Sequence, residues 1–123
     1  MSRPPKTALG ILRKAREILS QRGAWTTGDY ACDKNGEPVD ANDDKASRFC
    51  MLGALSRASG VAPHALCFGA VGKARAAIEG VVGVASIVEF NDRQTRKAPV
   101  LAAIDKAIAK LEAERRAQRK AAK

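Results

Sequence analysis

A chain of 123 residues and 13.0 kDa, with 22 Lys and Arg against 13 Asp and Glu, carries a formal net charge of +9. That length supports one domain whose folding buries roughly two-thirds of its surface. A hydrophobic content of 46% excludes a chain disordered throughout, and no stretch approaches the ~18 apolar residues of a membrane span. Aromatics are scarce (Trp25, Tyr30, Phe49, Phe68, Phe90), and Ala, Leu, Ile and Val supply the apolar surface, which favours packed helices over a sheet sandwich. Cys32, Cys50 and Cys67 are odd in number, lack C-x-x-C spacing and are joined by a single His, so neither a disulfide framework nor a zinc site is indicated. The N-terminus, Met1-Ser2-Arg3-Pro4-Pro5-Lys6, has no apolar signal core, so a cytoplasmic protein without a cofactor is the expectation.

The expected fold is mostly α, of the α+β class, with about four helices and a small β-hairpin between helices one and two. Ala8, Leu9, Leu12, Ala15, Ile18 and Leu19 recur at spacings of three and four, predicting an amphipathic helix over Thr7 to Arg22. Thr7 can cap it and Gly23 can end it. From Ala24 to Asp44 the pattern breaks into short polar stretches around Trp25, Tyr30 and Val39, with Asn35-Gly36 at their centre, which predicts a hairpin at about 25–40.

Helix two is predicted over Lys45 to Ser59, capped by Asp43 or Asp44 and stopped by Gly60, with Ala46, Phe49, Cys50, Gly53 and Ala54 on one face. A glycine inside a helix costs about 1 kcal/mol relative to Ala, so Gly53 marks a place where another element crosses closely. Pro63 fits the first turn of helix three, which carries Leu66, Ala70, Ala74, Ala77 and Ile78 until Gly80 and Gly83. Val84 to Phe90 is apolar and β-branched and reads as a buried strand or an extended connector. Thr95 can cap helix four, whose stripe is Val100, Leu101, Ile104, Ala107, Ile108 and Leu111. The domain therefore spans 1–111, followed by 112–123 as a basic helical tail that frays.

The charge is unevenly spread. Residues 1–28 carry +5, 29–44 carry −5, 45–83 carry +4 and 84–123 carry +5, so the hairpin region is an acidic island among basic helices. Such an excess suits a polyanionic partner, because neutralising phosphates releases counterions. It also suits plain solubility of exposed helix faces. Should nucleic acid be the ligand, Arg13, Lys14 and Arg16 of helix one and Arg115, Arg116, Arg119 and Lys120 of the tail carry the contact.

Cys50-Met51-Leu52-Gly53-Ala54-Leu55, followed by Phe90-Asn91-Asp92 and Thr95 ahead of the last helix, resembles a family of small uncharacterised bacterial and phage proteins, a domain of unknown function. In that family a tryptophan segment like Trp25 precedes a C-x-x-G-A-L helix, and an aromatic-Asn-Asp turn introduces the last helix. The likeness covers about Leu9 to Ala109. This chain departs from it in having Phe90 in place of Trp and Thr95-Arg96 in place of the reversed pair. The resemblance implies the fold and a phage or mobile-element context, and it assigns no catalytic residue.

Asp40-Ala41-Asn42-Asp43-Asp44 has the first three oxygen spacings of a calcium loop, but Lys45 replaces the required Gly and Met51 the bidentate Glu, so these acids read as helix caps and partners of Lys45 or Arg48. Asn91-Asp92 reads first as turn chemistry and second as a carboxylate at a surface cleft. Cys50 reads as a buried small hydrophobe rather than a nucleophile paired with His64, which is expected to be exposed. Trp25 is either the largest core residue or, with Tyr30, a stacking or interface face. The sequence thus points to a non-enzymatic basic binding protein, with nucleic acid or an acidic host protein as candidate partners and no membrane contact. A ligand-binding or enzymatic domain built on Trp25, Tyr30, Asn91 and Asp92 is the first alternative, and an assembly role for the helix-four stripe the second.

Overall fold

A computed structural model describes residues 3–83 and 86–122. In chain order it contains α1 (Ala8–Ser20), β1 (Ala31–Cys32), β2 (Arg48–Phe49), α2 (Met51–Ser59), a 3-10 turn (Pro63–Ala65), α3 (Gly69–Val82), α4 (Ile87–Asp92) and α5 (Ala98–Ala121). The fold is mostly helical, with one two-stranded antiparallel pairing between the first two helices. Met1, Ser2, Val84, Ala85 and Lys123 lie outside the described residues, so the N-terminal reading, the Val84 end of the apolar run and the last tail residue are described only in part.

α1 forms where the periodicity places it, with the Thr7 hydroxyl accepting the Gly10 N–H at 3.0 Å. It stops at Ser20, three residues short of Gly23. Leu9, Ile11, Leu12, Ala15 and Leu19 are buried, and this face packs against α2, α3 and α5, making α1 the central strut. The core continues through Leu55, Leu66, Val71, Ile78, Ile87, Val100 and Ile104. Each such fully buried side chain contributes about 1.5–3 kcal/mol relative to exposure.

The hairpin differs from its expected form. Asn35-Gly36 does make a tight turn: the Gly36 N–H donates to Asp33 O, Gly36 takes φ of 84°, and the turn closes a bridge between Cys32 and Pro38. The main partner of β1, however, is β2, pairing Ala31 with Phe49 and Cys32 with Arg48. Residues 45–50, expected as the first turns of helix two, are not helical: Lys45 lies in a turn, Arg48–Phe49 is a strand and Cys50 is extended, because Phe49 exchanges backbone bonds with Ala24 and Thr26 while the Cys50 N–H donates to Tyr30 O. α2 begins at Met51 and its cap is Cys50, whose Sγ accepts the Gly53 N–H at 3.3 Å. Asp43 and Asp40 instead close local turns by accepting from the amides of Lys45 and Asn42.

Gly53 lies where the crossing was expected: a Cβ there would stand 1.7 Å from Tyr30 O. Pro63 initiates only the 3-10 turn, and α3 begins six residues later at Gly69, continues through Gly80 and ends at Gly83. The described part of the Val84–Phe90 run is not a strand. Residues Ile87–Asp92 form α4, capped by Ser86 Oγ, which accepts the Glu89 N–H at 3.2 Å. Ser86-Ile87-Val88-Glu89 is the spacing of a capping box, and that local signal outweighs the β preference of two or three branched residues. Thr95 does not cap the last helix. The N-cap is Lys97, without a side-chain bond to the helix, and Pro99 occupies the first turn. The Lys97 ammonium donates to Ser20 O and Gln21 O, tying the end of α1 to the start of α5.

Candidate functional site: a basic helical arm and an acidic cleft

α5 lies in a groove between α1 and α3. Its apolar stripe is used inside the chain: Val100, Ala103, Ile104 and Ala107 are buried, and Leu101, Ile108 and Leu111 pack partly buried against the core. From Ala113 onward every described side chain is exposed, yet the helix continues to Ala121. At 1.5 Å per residue this leaves an arm about 14 Å long beyond the body. Arg115, Arg116, Arg119 and Lys120 stand on it within an arc of about 140°. None has a carboxylate within ion-pairing distance among the described residues.

The basic residues of α1 are placed differently. Arg13 donates to Glu112 Oε2 at 2.8 Å, Arg16 grips both oxygens of Asp105 at 2.5 and 3.3 Å, and Lys14 sits 3.7 Å from Glu17. The hydrogen bond and then the charge of Asp105 raise the pKa of Arg16 further above its ordinary value. These cations are already matched with anions, although Glu112 stands one helical turn before Arg116, so both groups border the same flank. The seven basic residues singled out from the sequence therefore form a matched set on α1 and an unmatched set on the arm.

Trp25, Tyr30, Asn91 and Asp92 come together around the start of α2. Asn91 is fully buried near the end of α4, and its side chain makes four hydrogen bonds. Its Oδ1 accepts from Trp25 Nε1 at 2.8 Å and from the Met51 N–H at 3.1 Å; its Nδ2 donates to Thr26 O and to Asp92 Oδ1, both at 3.1 Å. Trp25 is partly buried, packed on the core with its indole N–H spent on this latch. Asp92 does not cap a helix; its Oδ1 also accepts the Gly28 N–H at 3.1 Å.

Between the Gly28 loop and α4 this arrangement leaves a cleft of about 330 Å³ lined by Gly28, Asp29, Tyr30, Cys50, Val88 and Asp92. Cys50 is its floor. Burial pushes the Cys50 thiol up, and the Asp92 charge adds to that shift while the Gly53 and Leu52 amides oppose it. A thiol in that setting keeps its proton at neutral pH. Tyr30 and Asp92 are legible in the sequence, whereas Asp29, Val88 and the place of Cys50 at the floor are not, because the cleft depends on α4, which the apolar run conceals. His64 is exposed in the 3-10 turn, on an element that does not contribute to this cleft.

These features define a small α-helical protein with a fixed asparagine latch and a projecting cationic helix. The chain belongs to the family of unknown function DUF6197, whose profile matches residues 3–110. The match ends just before the exposed arm. No curated protein and no solved structure matches the chain. Among the described residues no helix is long and apolar enough to cross a membrane.

Proposed function

We propose that this is a non-enzymatic basic binding protein that contacts nucleic acid through the projecting end of α5. One observation carries the reading: Arg115, Arg116, Arg119 and Lys120 are exposed and without a carboxylate partner among the described residues, whereas Arg13, Lys14 and Arg16 are already paired. A helix that projects beyond its own core and carries four cations, three alanines, Glu114 and Gln118 over 113–121, with no large apolar side chain, has little to bury against an apolar partner. It has much to offer a phosphate backbone, where contact is made by charge and needs no preformed pocket. The three cysteines are free, which suits action in the reducing cytoplasm.

The test is a titration of labelled single- and double-stranded DNA and RNA at several salt concentrations. Four phosphate contacts give a log–log salt slope of about −3.6 on duplex DNA. Replacing Arg115, Arg116, Arg119 and Lys120 with Ala is expected to bring the slope close to zero, while the Arg13→Ala/Arg16→Ala variant retains most of it. Unchanged affinity and slope in the arm variant would overturn the reading and move the arm to recognition of an acidic protein or to solubility.

A further inference from the structure

The cleft beside α2 has the opposite character to the rest of the molecule. In a chain of net charge +9, two of its six lining residues are aspartates and none is basic. Asp92 spends Oδ1 on the Gly28 amide and on Asn91, leaving Oδ2 without a donor among the described residues. Tyr30 is 47% exposed beside it, and Val88 gives an apolar wall. At the floor Cys50 is 2% exposed and its Sγ accepts from Gly53, so the thiol is already partnered inside the fold. The cleft is thus acidic, with an exposed tyrosine among its lining residues and a free carboxylate oxygen on Asp92.

We propose that this cleft binds an organic cation, a primary ammonium or guanidinium group carried on a short apolar stem. A carboxylate oxygen with no other partner and an aromatic ring on the same cleft are the two elements that recognise such a head group. An anion is disfavoured even though a helix begins here, because the Met51 and Gly53 amides are occupied by Asn91 and Cys50. Among the described residues no three of His, Cys, Asp or Glu are grouped to hold a metal ion. A volume of about 330 Å³ suits a group of side-chain size rather than a larger ligand. The four bonds of Asn91 fix α4 against the Trp25–Gly28 segment, so the site is formed before ligand arrives.

The test follows the Gly28 amide and the Trp25 indole N–H by NMR while the whole protein is titrated with butylammonium and butylguanidinium, and with 1-butanol and butyrate as neutral and anionic counterparts. The expected result is saturable shifts for the two cations with a Kd of about 1–10 mM, and none for the counterparts. Asp92→Asn, which keeps an acceptor for Gly28, and Asp29→Asn, whose side chain makes no hydrogen bond among the described residues, should together weaken binding at least tenfold with the amide spectrum otherwise preserved. A second arm uses N-acetyl-Gly-Lys-Gly-amide: binding tighter than butylammonium assigns the site to a polypeptide side chain, and equal or weaker binding to a free amine, each with the cleft occupied. Shifts that never saturate, equal shifts with 1-butanol, or full affinity in the double variant would overturn the proposal.

Discussion

Asn91 is the residue on which most of the site's geometry depends. Replacing it with Ala leaves the Trp25 indole N–H, the Met51 amide and Thr26 O without their partner, and each buried group left unsatisfied costs about 1–3 kcal/mol. Asn91→Ala should therefore lower unfolding stability by about 3 kcal/mol or more, read by urea denaturation, with a red-shifted Trp25 emission in the folded state. Cys50 makes a separate prediction through its proton. Its thiol binds the proton more tightly folded than unfolded, so the contribution to stability is complete below the ordinary thiol pKa and is lost as pH rises through the raised folded value. Stability should hold through neutral pH and fall above about pH 8.5, and Cys50→Ala should flatten that alkaline decline. Neither role was legible beforehand. Asn91-Asp92 reads as a turn because the apolar run ahead of it reads as a buried strand or an extended connector rather than a helix, and Cys50 reads as a mid-helix hydrophobe because the periodicity starts helix two at Lys45 rather than Met51.

At the scale of elements, long periodic segments were legible and short ones were not. α1 and α5 declare themselves over several turns, and the Gly53 crossing was legible from the cost of a helical glycine without its partner being known. Tertiary pairing overrides local pattern in two places: Arg48–Phe49 and the residues flanking it are held out of the helix by bonds to Ala24, Tyr30 and Cys32, and α4 is six residues long, too short for its period to register. The contact of α1 with α5 also carries two ion pairs that composition alone could not assign. Arg13, Arg16, Asp105 and Glu112 have side chains 38–56% exposed, so screening keeps each pair to about 1 kcal/mol or less. Arg16→Ala should cost no more than that at low salt and still less at high salt, measured by thermal unfolding at the two ionic strengths. A loss of several kcal/mol would mean that these pairs, rather than the Ile104 stripe, hold α5 to the body.

For the molecule as a whole, the apolar stripe of α5 is consumed within the chain while its cationic end stays exposed. The body is held by α1 packed among α2, α3 and α5, with the acidic segment 29–44 wrapped beside α2 through Asn42 and Arg57. The arm adds charge but buries nothing, so neutralising it should leave the unfolding midpoint nearly unchanged. Whether the exposed arm is the nucleic-acid contact is decided by amide hydrogen–deuterium exchange of the intact protein with and without duplex DNA at low salt. Residues 113–121 should exchange fast in the free protein and gain marked protection on adding DNA, with α2, α3 and α4 unchanged. Protection confined to the body, or an arm that exchanges equally fast at saturating DNA, would contradict it.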